Sequence, residues 1–151
     1  MTEDFRALLQ EFIRRFGLLA ADHTPCGKPL ASSDAHALML LLEAGDHGML
    51  SSTLATKLGI DKSTSSRTAA RLTESGHIMA GPSSNDGRAR PIRLTKKGAR
   101  VAGEVEAASR GRFAQLLNHV PPRRRADVIE ALRDLIAALE KMTPTPGEQD
   151  Q

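Results

Sequence analysis

Apolar residues recur at three- and four-residue intervals at the start of the chain, in Phe5, Leu8, Leu9, Phe12, Ile13, Phe16, Leu19 and Ala20. That period predicts an amphipathic helix over about 3–21, with Gly17 as the one residue inside it that disfavours helix. Pro25, Gly27 and Pro29 then make residues 22–30 a connecting loop. Ser32 or Ser33 can cap a second helix whose Ala35 and Leu38 through Leu42 are apolar nearly all round, so it is buried on most sides; Gly45 ends it.

A shorter pattern follows. Leu54, Ala55 and Leu58 face one side of a helix over 51–58, Gly59 supplies a tight turn, and Ile60 plugs that turn. Asp61 is placed to cap the next helix, about 62–75, which Gly76 closes. That helix carries two stripes: Ser65, Ala69 and Leu72 can pack, whereas Thr64, Arg67, Thr68 and Arg71 can only hydrogen-bond. Residues 77–80 and 89–94 predict a small antiparallel ribbon across a loop rich in Pro, Ser, Asn, Asp and Gly, with Pro91 on an edge or at a bulge because it lacks an N–H. Thr95 caps a long helix to about residue 118, with Val101, Val105, Ala108, Phe113, Leu116 and Leu117 as its apolar positions. Pro121 or Pro122 opens a last helix, where Val128, Ile129, Leu132, Leu135, Ile136 and Leu139 form a stripe wide enough to need a partner. The polar run 143–151 reads as a flexible tail.

Together these elements predict a mainly α chain with a small β-wing: a winged helix-turn-helix at about 32–95, flanked by long dimerisation helices at about 3–21 and 96–142, in a single domain over 1–142. Composition narrows the function. A formal net charge of +3 over 151 residues permits nucleic-acid binding without requiring it, so the placement of the charges has to decide. With no Trp, no Tyr and 4 Phe, stacking on single-stranded bases is disfavoured. A single cysteine, Cys26, gives no internal disulfide. No apolar run approaches a membrane span, and Glu3 and Asp4 are unlike the start of a signal peptide, which predicts a cytoplasmic protein without membrane contact. There is no glycine-rich phosphate loop, Glu-His metalloprotease pair or nucleophile elbow, so the expectation is not an enzyme.

The chemistry that remains is DNA reading. Ser63, Thr64, Arg67, Thr68 and Arg71 on the second helix of the helix-turn-helix offer short hydroxyls and two guanidinium forks suited to phosphates and guanine edges. Arg88 and Arg90 in the ribbon are placed for an adjacent minor groove or backbone, and Asp86 for orienting an arginine or holding the turn. The bland reading of these arginines is a solvated face, and the alternative function is a winged-helix protein-interaction module or anti-repressor. Arg123, Arg124 and Arg125, at an unfavourable helix N-terminus, are read as a solvated cluster.

The residues Leu54-Ala55, Leu58, Ile60, Ser66-Arg67, Leu72 and Gly76, and above all Asp86 and Arg88 followed by Leu94-Thr95 and Gly98, resemble the MarR (multiple antibiotic resistance regulator) family of bacterial repressors. Pro91 in the wing strand and His77 at a commonly apolar position depart from its pattern. The resemblance implies an obligate homodimer built from the first, fifth and sixth helices. It implies recognition helices in successive major grooves of a pseudo-palindromic double-stranded DNA operator and wing arginines in the minor groove. It also implies a ligand or oxidant site between the DNA and dimer lobes. No cofactor is required, but His23, Cys26, Asp34 and His36 lie close in sequence near that place, so a small-molecule effector, a thiophilic metal or thiol oxidation are expectations to set beside plain packing.

Overall fold

The computed structural model describes residues 1–82 and 90–142, so Asp86, Arg88 and the tail after Met142 lie outside the described residues. The elements run α1 (Thr2–Phe16), α2 (Ser32–Ala44), α3 (Ser51–Leu58), α4 (Lys62–Glu74), β1 (Ile78–Ala80), β2 (Ile92–Leu94), α5 (Lys96–His119) and α6 (Arg125–Met142), with short 3-10 turns at Gly45–His47 and Pro122–Arg124. They form two compact units, Met1–Arg112 and Phe113–Gln151.

In the first unit α1 is shorter than its apolar period. Gly17 adopts φ 87°, and the Gly17 and Leu18 amides return to the carbonyls of Arg14 and Ile13. A left-handed residue with this pair of reversed bonds terminates a helix, so Leu18, Leu19 and Ala20 keep the period but not the helix. The start of α2 also differs from expectation. Its cap is Ala31, with no side-chain bond, and Ser32 and Ser33 are already helical.

The core lies where α2, α3 and α4 meet β1 and the first part of α5. Leu38, Leu41, Leu54 and Leu72 are almost wholly removed from water and cluster with Ala37, Ile78 and Ala102. Each such leucine contributes about 1.5–3 kcal/mol by burial. α2 is the helix that is apolar nearly all round, and it supplies the most buried residues. The ribbon is antiparallel, with Ile78 opposite Leu94 and Ala80 opposite Ile92. His77 and Pro91 fall just outside the strands; the Pro91 carbonyl accepts from the Gly81 amide at 2.6 Å. A third segment joins the ribbon without having been foreseen: Met49 and Ile92 exchange both backbone bonds, at 2.9 and 2.7 Å.

The end of α4 is tied to the start of α5. The Thr95 hydroxyl accepts from the Gly98 amide at 3.0 Å and donates to the Gly76 carbonyl at 2.7 Å, while the Thr95 amide bonds the His77 carbonyl at 3.0 Å. Lys97 Nζ reaches the Ser75 carbonyl at 2.6 Å. Gly98 permits this, because a Cβ there would stand 1.8 Å from the His77 carbonyl oxygen.

In the second unit α6 buries none of its residues, and Leu132, Ile136 and Leu139 are all more than half exposed. The arginine cluster is engaged locally: Arg125 caps the end of α5 through the carbonyls of Val120 and Asn118, at 3.1 and 3.2 Å, and Arg124 pairs with Asp127 at 3.0 Å.

Gly98→Ala should force the two segments apart and lower the unfolding free energy by about 3 kcal/mol, as overpacking against a backbone atom does. Urea denaturation of the two proteins measures it. Burial holds the His77 imidazole below its ordinary value of 6.5, with the Lys97 and Arg100 charges acting in the same direction and Asp34 opposing them. The unfolded chain therefore takes up this proton first as pH falls, so the stability tied to neutral His77 is complete above about 6.5 and is lost on acidification through the lower folded value. The urea midpoint should drop between pH 7.5 and 5, and drop less in His77→Gln, which keeps a hydrogen-bonding group toward Ser75.

Candidate nucleic-acid interface

The helix-turn-helix is formed by α3 and α4. Gly59, at φ 65°, ends α3, and the Ile60 amide reaches back to the Ala55 carbonyl at 3.2 Å, which turns the chain sharply into Asp61. The Asp61 carboxylate accepts from the Thr64 amide at 2.9 Å and so caps α4. The same carboxylate takes two further bonds, from the Ser63 hydroxyl at 2.6 Å and the Thr64 hydroxyl at 2.7 Å. These two hydroxyls, ahead of the backbone amide, hold Asp61 well below the usual carboxylate range.

The sequence-derived DNA contacts divide on this helix. Ser63 and Arg67 are exposed and Thr64 is half-buried; Arg67 Nη2 donates to the Thr64 hydroxyl oxygen at 3.1 Å. Thr68, expected on an exposed face, is completely buried, and its hydroxyl oxygen accepts from Arg71 at 3.3 Å. Helical rotation explains the correction: Thr68 lies three and four residues from the buried Ser65 and Leu72, on the packed side. Arg71 is also not a free fork. Its Nη2 and Nε bond the two Asp34 carboxylate oxygens at 2.5 and 3.2 Å, and this pairing raises its already high pKa. Asp34 is buried on α2, whereas the Arg71 side chain is half exposed. On the wing, Arg90 is exposed; Arg88 and Asp86 lie outside the described residues.

The four residues set aside for sensing have separate surroundings. Asp34 serves Arg71. His23 shares a 2.6 Å hydrogen bond with Asp22, and Cys26 Sγ sits 2.9 Å from the Thr24 hydroxyl. His36 is exposed and lines a cleft of about 550 Å³, together with Met39, Leu40, Leu42 and Glu43 of α2 and Glu106 and Ser109 of α5. Among the described residues no three His, Cys, Asp or Glu side chains are grouped to hold a metal ion, so the sequence cluster is not a metal cluster in space.

Two features escaped the sequence. The Arg71–Asp34 pair spans 37 residues and leaves no local spacing to detect. The double engagement of Asp61 was detectable, since an Asp followed two and three residues later by Ser and Thr places both hydroxyls within its reach. Because the charge of Asp34 is the more buried of its pair, Arg71→Met should cost about 3 kcal/mol at neutral pH, the larger part from stranding a carboxylate. Asp34→Asn should cost about 1 kcal/mol, because it retains a shorter set of neutral bonds. Thermal or urea unfolding of the two variants tests the asymmetry.

A MarR family model matches residues 29–89 of the 151. No curated protein matches the sequence closely enough to count as a relative. Several solved structures have the same fold. A MarR transcriptional regulator from Methanosarcina mazei Go1 is 21% identical, with 93% of this chain and 99% of that one aligned at a TM-score of 0.71. S. aureus MepR, solved as a DNA complex, is 17% identical over 91% of this chain and 96% of its own, also at 0.71. PcaV from Streptomyces coelicolor, solved with its natural ligand, is 21% identical over 89% of both chains at 0.64. Residues 29–89 thus match the MarR family model, in a chain that shares the fold of solved MarR winged-helix regulators.

Proposed function

We propose that the protein is a sequence-specific double-stranded DNA-binding transcriptional regulator, working as a homodimeric, effector-responsive repressor. The observation that carries this reading is the exposed edge of α4. Ser63, Thr64 and Arg67 stand at the N-terminal end of the second helix of a helix-turn-helix, the end that enters a major groove, with Arg90 exposed on the adjoining ribbon. MepR, of the same fold, was captured on DNA. Arg88, which the sequence places at the wing, is assigned a backbone or minor-groove contact on that basis, with Asp86 orienting it.

Dimerisation is supported by apolar surface on each unit considered alone. α1 exposes Phe5, Leu8, Leu9 and Phe12 and buries no residue; α6 exposes Leu132, Ile136 and Leu139 and buries none. Surfaces of this kind on paired helices are what a second copy covers, and two copies present two reading heads to a pseudo-palindrome. The cleft between α2 and α5 is of the size of a small-molecule site and is lined both by apolar side chains and by the polar groups of His36, Glu43 and Glu106. PcaV holds its natural ligand in a protein of this fold. An effector there acts only if it binds the DNA-fitting and non-fitting states with different affinity. No helix among the described residues is long and apolar enough to cross a membrane.

The test is a salt titration of binding to an operator-containing duplex. Affinity should fall steeply with salt. Arg88→Ala should weaken binding and reduce the salt slope by about 1, while Arg67→Ala should also relax sequence preference. Indifference to duplex at low salt would instead identify a protein-interaction module.

A further inference from the structure

We propose that Asp61 fixes the Ser63 and Thr64 hydroxyls as hydrogen-bond acceptors, so that the start of α4 selects a base presenting an exocyclic amino group, adenine or cytosine, in the major groove. The proposal rests on the DNA-reading function and assigns its polarity. An ionised carboxylate can only accept, and each hydroxyl has one hydrogen. At 2.6 and 2.7 Å from the Asp61 oxygens, the Ser63 and Thr64 hydrogens are therefore both committed to Asp61.

What remains for a ligand is lone pairs. Ser63 Oγ retains two; Thr64 Oγ1 retains one, since Arg67 Nη2 already donates to it at 3.1 Å. Neither hydroxyl can then donate to a phosphate oxygen, to guanine O6 or N7, or to thymine O4. Among major-groove edges the donors are adenine N6 and cytosine N4. Arg67, anchored through one of its five N–H groups, keeps the others for a guanine or a phosphate. The end of the helix thus presents an acceptor pair beside a donor fork.

Capping alone would not require this arrangement. The cap uses the Thr64 amide, and Asn caps a helix about as well as Asp. In Asp61→Asn the amide oxygen can keep the Thr64 amide and the Ser63 hydroxyl, while the amide nitrogen donates to Thr64 Oγ1. The Thr64 hydrogen is then released outward, and an acceptor becomes a donor with the helix retained. A purely structural Asp61 would leave base preference unmoved by this change.

The experiment selects sites for the full-length wild type and Asp61→Asn from a random duplex pool. Each preferred adenine or cytosine is then replaced by the analogue lacking its amino group, purine or pyrimidin-2-one deoxynucleoside. The affinity ratio is read within each protein, so the general effect of removing a negative charge cancels. For the wild type, deleting the amino group at one half-site position should cost about 3- to 10-fold, the range of a single hydrogen bond. At the position read by Thr64, Asp61→Asn should be insensitive and select guanine or thymine, while a position read by Ser63, whose hydrogen the amide oxygen still accepts, should keep its dependence. Thr64→Val, which keeps the side-chain shape without a hydroxyl, should lose the discrimination at its own position, and Ser63→Ala at the other. The proposal is overturned if Asp61→Asn keeps the wild-type base and amino-group dependence at the position that Thr64→Val abolishes, or if Thr64→Val and Ser63→Ala both retain the dependence everywhere. A wild type that selects no duplex at all overturns the DNA-reading function together with it.

Discussion

The contact between Gly98 and the His77 carbonyl is the constraint on which the helix-turn-helix and its ribbon depend. It brings the end of α4 to the start of α5 at backbone distance, and the Thr95 hydroxyl then bonds both segments at once, accepting from Gly98 and donating to Gly76. With that joint closed, β1 and β2 have to pair in the register Ile78 to Leu94. A side chain at residue 98 would open both together. The end of α4, the ribbon and the first turns of α5 are therefore held as one piece within the first unit.

A second tie holds α4 from the other side. Arg71 reaches the buried Asp34 on α2, and α2 also forms one wall of the cleft. The orientation of α4 about its own axis is thus referred to α2, the helix that also carries His36 and Glu43 into the cleft.

The fold was legible because its signals are local. The period of α2, the Gly59 turn, the Asp61 cap and the Thr95 cap each declare themselves within a few residues, and the MarR-like spacing from Asp86 to Gly98 agreed with them. Boundaries were less so. The apolar period of α1 runs past Gly17, because periodicity records which face is apolar and not where a left-handed residue reverses the chain. The interface was half legible. Ser63, Thr64 and Arg67 stand where their spacing put them, but Thr68 turned inward and Arg71 was taken by Asp34, since a hydrogen-bonding stripe on a helix does not say which of its members has a distant partner. The proximity of His23, Cys26, Asp34 and His36 along the chain does not bring three ligands together among the described residues, because sequence nearness does not fix which side chains share a pocket.

α1 and α6 each bury no residue fully, so much of their apolar surface stays open to water. Whatever covers those faces adds stability, and a cover that is another molecule enters the equilibrium as a concentration. In a dimeric regulator of this construction, the amount of protein in the cell sets more than the occupancy of its sites. It also sets the fraction of chains whose outer apolar faces are covered, so that a scarce regulator is at once dilute and less stable.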